Sequence, residues 1–381
     1  MIYLDAASTA PTSKMVQNAI IDVLSDNWGN VSGAHQVSAR AKNMLEEDRE
    51  KMAQLIEAKS ENIVFTSGAT EALNIVLQGF ARKNPRSKIF YSAIEHDAVF
   101  KTIEYLSESN IDTVKIAVDS NSIYKRDFLN DINEGDLVCI MPVNNETGVI
   151  NDVIGLAEQV HERKGLVLFD AVQSIYSFDP IELISQCDFA IYSGHKLGAP
   201  HGVGMLYVRD RKKIDQLTFG GSQEWEVRPG TTPAFLIHAL RIVFEDVIAN
   251  RNVLSEQMKK IKKYAIEKIN VELPFVSIRC SEVKTSNHII SLEIYPIESQ
   301  MLVAMLSNKG ICISKGSACA SGASTPSRVL LEMGIEKQKA LSTIRLSFLP
   351  DTTEQDIDMA INEIKQCVDM LSAKVVASNE K

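Results

Sequence analysis

The chain of 381 residues has no Cys-x-x-Cys pair; its six cysteines stand apart at 139, 187, 280, 312, 319 and 367. That spacing builds neither a disulfide framework nor a zinc site, so no metal is expected and free thiols in a reducing, cytoplasmic setting are. Met1-Ile2-Tyr3-Leu4-Asp5 lacks a charged region followed by an apolar one, which predicts no signal peptide. No apolar run approaches the length of a bilayer span, and no membrane association is expected. Positive charge is in short supply, with 40 Lys and Arg against 49 Asp and Glu and a net charge of -9. A nucleic-acid binder needs a concentrated basic face, so direct nucleic-acid contact is not expected. Low-complexity tracts and internal repeats are missing as well, and disorder is expected only around residues 378–381.

What is present is a large apolar fraction, 45% of the chain. That length and composition predict one large domain and a smaller one. Seven short β-rich apolar runs, at 63–67, 88–92, 113–117, 137–141, 166–170, 189–193 and 204–208, alternate with helical patterns. Continuous apolar strands between helices predict a mainly parallel sheet covered on both faces, with ligands held outside the carboxyl ends of its strands. Beyond Val208 the pattern changes. Gly220-Gly221-Ser222 and Arg228-Pro229-Gly230 lead into a long helix over about 233–269, and an α+β region follows from near residue 250.

The strand ends are therefore where chemistry is sought. The first leads into Gly68-Ala69-Thr70-Glu71, a small-residue turn that opens a helix. Such a turn suits a phosphate, though taken alone it reads first as an ordinary N-cap. The second ends at Glu95-His96, where the imidazole either stacks on an aromatic ring or is a structural histidine. The fourth ends at Val143-Asn144-Asn145-Glu146-Thr147-Gly148, which also reads as a plain turn. The fifth ends on Asp170, with Gln173 one turn later, and the sixth on Ser193-Gly194-His195-Lys196. A carboxylate and a lysine at neighbouring strand ends meet the needs of pyridoxal phosphate. The lysine forms the Schiff base, and the carboxylate keeps the pyridine nitrogen protonated. A structural Asp170–Lys196 salt bridge is the plainer alternative.

Two further features stand later in the chain. Residues 315–325, Lys-Gly-Ser-Ala-Cys-Ala-Ser-Gly-Ala-Ser-Thr, are too small and polar to pack a core, which predicts an exposed, mobile loop around Cys319. Cysteine is usually buried, so Cys319 is either a bystander thiol or a nucleophile on a moving arm. Arg345, on a predicted strand, has the planar fork that grips a substrate carboxylate, or it forms a surface ion pair.

Together these residues resemble the cysteine desulfurases of the NifS/IscS type, in the class V group of fold-type I pyridoxal-phosphate enzymes. The resemblance runs nearly end to end, through Tyr3-Leu4-Asp5, Thr66 to Glu71, Glu95-His96, Val143 to Glu146, Asp170 to Gln173, Ser193 to Lys196, Gly230-Thr231, Gly316-Ser317-Ala318-Cys319 and Ile344-Arg345. It implies an α/β fold with a seven-stranded, mainly parallel sheet over 13–250. It also implies a smaller domain from 1–12 and 251–381, carrying the cysteine loop at about 314–327. Lys196 is then the Schiff-base lysine, Asp170 the partner of the pyridine nitrogen, and His96 the residue that stacks on the ring and moves protons. Asn145 and Gln173 are expected to contact the substrate side and the ring 3-hydroxyl; Ala69, Thr70, Ser193 and His195 are expected to hold the phosphate. Thr231 is expected to reach the phosphate of a second subunit, implying a homodimer. Arg345 is expected to bind the carboxylate of L-cysteine and Cys319 to take its sulfur as a persulfide for an acceptor protein, in iron–sulfur assembly, thiolation of tRNA or another route. An aminotransferase or lyase on the same fold would not need the thiol, and a sulfur carrier would not need the lysine set. Two departures from the family pattern, Ala6-Ala7-Ser8 and Ser222-Gln223-Glu224-Trp225-Glu226, are placed by this reading near the entrance and the dimer contact.

Overall fold

The computed structural model describes residues 1–316 and 325–379. Cys319 and most of the loop expected over 314–327 lie outside the described residues.

In chain order the strands are β1 (Ile2–Tyr3), β2 (Ile63–Thr66), β3 (Ile89–Ser92), β4 (Thr113–Ile116), β5 (Leu137–Ile140), β6 (Leu166–Asp170), β7 (Phe189–Ser193) and β8 (Gly204–Val208). After them come β9 (Ser277–Ile278), β10 (Ile289–Glu293), β11 (Ile311–Cys312), β12 (Ser314–Lys315) and β13 (Thr343–Ser347). The seven apolar runs form one sheet in the order β2-β8-β7-β6-β5-β3-β4. Only β8 runs against its neighbours. Residues of β2, β5, β6, β7 and β8 are buried almost throughout, as strands covered on both faces should be. The pleat divides them between two cores. Ile63, Phe65, Val138 and Ile140 face one, and Val64, Leu137 and Cys139 face the other. At the edge, β4 carries the exposed Lys115, which blunts an otherwise open ladder.

A third core gathers β10, β13, the helix Ser299–Asn308 and the helix Glu354–Asn379. The extreme N-terminus joins it: β1 pairs with β11, Asp5 bridges to Ser347, and Ile2 and Leu4 lie in that core. One helix, Ala234–Glu272, serves two cores. Ile237, Leu240 and Phe244 pack under the large sheet, and Ala265 and Ile269 pack in the third core. Among the described residues no helix is long and apolar enough to cross a membrane, and no cluster of His, Cys, Asp or Glu is suited to a metal ion.

Candidate active site

Because β2, β3, β5, β6 and β7 run the same way, their carboxyl ends open on one cleft of about 820 Å³. Ala69, Thr70, His96, Asn145, Asp170, Gln173, Ser193, His195, Lys196 and Arg345 all line it. Thr231 does not; it is exposed on the loop before the helix Ala234–Glu272. The five described cysteines are free, and none of them lines the cleft. Both flanks of the stretch containing Cys319 reach this site: Thr325 and Pro326 line it, and a Cβ at Gly316 would lie 3.2 Å from the carboxyl of the cleft residue Glu146.

The phosphate-type turn owes its shape to two glycines. Gly68 adopts φ 151° as it opens the helix Ala69–Lys83, and no side chain caps that helix. A Cβ at Gly204 would come within 2.8 Å of Gly68 Cα, so only glycine lets the turn lie over β8 beside Ser193. The ordinary N-cap reading of Thr70 therefore falls, and among the described residues the first-turn N–H groups face the cleft wall without a side-chain partner. Glu71 accepts from the Ser67 N–H and from Arg228 Nε at 3.0 Å. Burial opposes ionisation there, but the Ser67 hydrogen bonds and Arg228 hold the Glu71 carboxyl below its usual range.

His96 caps the helix Asp97–Glu108, its Nδ1 accepting from Ala98 N–H at 3.1 Å. That bond fixes the ring on the cleft wall. Asp170 is buried at the end of β6 and accepts from Val172 N–H at 3.2 Å. Burial pushes its carboxyl up, against the pull of His96, Val172 N–H and Lys196. Lys196 Nζ donates to the Ala7 carbonyl at 2.9 Å and the Ser8 carbonyl at 2.5 Å. Burial, Lys196 and the stacked His201 hold His195 down to about 4, so its imidazole is neutral. Among the described residues, Asn145 Oδ1 is buried with no hydrogen-bond partner.

Arg345 departs from the surface-pair alternative. It is 1% exposed and donates to the Asn145 carbonyl at 2.7 Å, to Asp5 at 2.8 Å and to Ser8 Oγ at 2.7 Å. Asp5 and Ser8 thus hold it from the N-terminal segment. The same contacts seat Ala6-Ala7-Ser8 against the cleft, which Ala7 and Ser8 line: Ala6 and Ala7 are buried, and the Ala7 carbonyl also accepts from Gln173 at 3.0 Å. The pairing of β1 with β11 draws this segment inward.

Sequence reasoning passed over three charged groups at the site. Arg328 Nη1 donates to the Ala93 carbonyl at 2.6 Å, and its guanidinium covers Phe100 at 4.2 Å. Glu95 is fully buried, with Ser92 Oγ donating to it at 2.8 Å; burial and Asp170 push its carboxyl well up. Glu146 is buried, with Ser327 Oγ donating to it at 2.5 Å. The only signal for the two acids was a carboxylate next to a strand end in an apolar setting. Burial raises Glu146 to about 7, despite Ser327, Arg345 and Arg328, which favour its ionised form. Between its unfolded pKa and about 7 the folded chain holds a proton that the unfolded chain releases, so this group's contribution to stability falls as pH rises through that window. Glu146→Gln, which still accepts from Ser327, is expected to match the wild type at pH 4.5 and to exceed it by up to about 3 kcal/mol at pH 8. Denaturant melts at the two pH values check this; an equal difference at both would refute it.

The chain matches the Aminotransferase class-V family over residues 2–359. It is 32% identical over 378 residues to a probable mitochondrial cysteine desulfurase of Dictyostelium discoideum, covering 97% of this chain and 83% of that one. Identity to a putative cysteine desulfurase IscS 1 of Bacillus subtilis is 31% over 377 residues, covering 97% and 99%. A solved NifS-like protein shares the fold with a TM-score of 0.89 at 28% identity, over 97% of this chain and 99% of that one. With a matching family model over most of its length and desulfurase relatives over nearly all of it, the chain belongs to the class-V aminotransferases, in their cysteine desulfurase branch.

Proposed function

We propose that this chain is a pyridoxal-phosphate enzyme that converts L-cysteine to L-alanine and keeps the sulfur as a persulfide on Cys319. The observation that carries the reading is one cleft that collects Lys196, Asp170, His96 and Arg345, with both flanks of the Cys319 stretch closing on it. The residues present fit the cofactor. The uncapped first turn at Ala69 and Thr70, with Ser193 and His195, suits its phosphate; buried Asp170 suits a protonated ring nitrogen; the unpartnered Asn145 Oδ1 suits a donor. Bound there, pyridoxal phosphate supplies an electron sink for charge at the substrate Cα.

The chain's own residues do the rest. Lys196 Nζ holds the cofactor and, with His96, takes and returns the Cα proton. Arg345 grips the substrate carboxylate, exchanging its contacts with Asp5 and Ser8 for a stronger bidentate one. Cys319, as thiolate, attacks the substrate sulfur: an S–S bond forms, the substrate C–S bond breaks, and the electron pair left on carbon is protonated to give alanine. The persulfide then passes to an acceptor protein in a cytoplasmic setting, which the free cysteines suit. Exposed Thr231 is assigned to the phosphate site of a second subunit in a homodimer. The pairing of β1 with β11 supports dividing the chain into 13–250 and a smaller domain of 1–12 with 251–381.

Alanine and sulfide released from L-cysteine under a thiol reductant test this reading. Wild type should yield them in equal amounts, and Cys319→Ala neither. A Cys319→Ala enzyme that still forms alanine at full rate would make the chain a lyase or aminotransferase instead.

A further inference from the structure

We propose that His288 is a positioning residue that locks the Gln173 amide as a hydrogen-bond donor toward the cleft. This rests on the reading above, in which Gln173 meets the ring 3-hydroxyl. His288 lies just before β10, 4% exposed, with its ring edge-on to Tyr176 at 5.7 Å. Its Nε2 stands 3.0 Å from Gln173 Oε1, and Gln173 Nε2 donates to the Ala7 carbonyl at 3.0 Å. A carbonyl only accepts, so the amide nitrogen must be the end that faces Ala7. The amide oxygen then faces His288, which must carry its hydrogen on Nε2. Burial, with Lys262 and Arg345 nearby, drives His288 down to about 3, so it stays neutral with a single N–H.

Each bond in this row fixes the next. The Gln173 oxygen is engaged, and one of the two amide hydrogens goes to Ala7; what Gln173 offers the cleft is the other N–H. A donor favours an anionic oxygen over a hydroxyl. The same Ala7 carbonyl accepts from Lys196 Nζ, so His288 also sets the amide in register with the lysine. His288 leads into the strand neighbouring Arg345, since Ser291 of β10 pairs with Arg345 of β13.

The test uses loaded enzyme and follows the pH midpoint of the bound cofactor's visible absorbance. His288→Phe keeps the ring beside Tyr176 without the N–H, and His288→Gln restores a donor. The phenylalanine variant is expected to raise the midpoint by about one pH unit and to lower kcat about tenfold with KM little changed, the worth of one buried hydrogen bond. The glutamine variant should return both close to wild type. In a Gln173→Met background, His288→Phe should add no further shift. If the phenylalanine variant does not accumulate, His288→Met is read in its place. An unchanged midpoint, or a shift that persists in the Gln173→Met background, overturns the inference. A wild type that takes up no pyridoxal phosphate overturns the reading of the site and this inference with it.

Discussion

Lys196→Ala is expected to lose alanine and sulfide formation from L-cysteine by about a thousandfold or more, and to lose the visible absorbance of a covalently held cofactor. The expectation follows from where β7 ends. The strand stops at Ser193, a single tight turn follows over Gly194–Lys196, and Nζ is delivered to the same cleft as buried Asp170. Only a primary amine there can both hold an aldehyde and move a proton at the substrate Cα. The carbonyls of Ala7 and Ser8, which Nζ now satisfies, sit beside the open cleft, where water replaces the lost donor, so the fold should survive. Product assays and absorbance spectra of purified protein decide the matter. A variant retaining more than about a tenth of the wild-type rate would remove Lys196 from the chemistry.

Arg49→Met is expected to cost about 3–5 kcal/mol of stability, more than any surface substitution. Arg49 is 3% exposed on the helix Gln36–Leu55. Its guanidinium makes two bonds to Glu224, at 2.9 and 2.7 Å, and a third to the Ile63 carbonyl at 2.9 Å, between the rings of Phe65 and Trp225. Glu224 also accepts from Phe65 N–H at 2.9 Å. Removing the arginine leaves a buried carboxylate without its cation. It also releases a turn in which Glu224, Trp225 and Glu226 take φ of 48°, 52° and 67°, a conformation costly for residues with a Cβ. Equilibrium denaturation gives the measurement, and a loss under about 1 kcal/mol would show that the turn holds itself.

The two cases differ in how far they could be read from the chain. Lys196 and Asp170 stand at the ends of apolar runs that topology must bring to one edge, so the strand pattern pointed to them as a pair, while Asn145 read as part of a plain turn until the resemblance to a known family gave it a role. The pairing of Arg49 with Glu224 is different. It joins residues 175 positions apart, and nothing local distinguishes Arg49 from the other charges of an amphipathic helix. The part that the N-terminal segment plays at the site was hidden for a similar reason. Ala6 and Ala7 have no side-chain chemistry to signal a role; they act through main-chain atoms, and contacts such as Ala7 to Lys196 arise only once β1 has found β11. The pKa shifts of Glu95 and Glu146 come from burial, which the residue letter does not carry. His288 reads as one more histidine until the fold sets it behind Gln173.

The helix Ala234–Glu272 has a consequence for how this chain can vary. Its 39 residues contain neither glycine nor proline, and it is a rod about 58 Å long. One end packs in the sheet core and the other in the core that carries Arg345 and the N-terminal segment. Between residues 248 and 264 most side chains are exposed or half-buried, so apart from buried Met258 and the hydrogen-bonded Arg251, Ser255 and Lys262 their identity is loosely held. Their number is not. Inserting one residue there would turn everything beyond it by about 100° and advance it about 1.5 Å, swinging Arg345 away from Lys196. Across that stretch the chain should drift freely in spelling while its word count stays fixed.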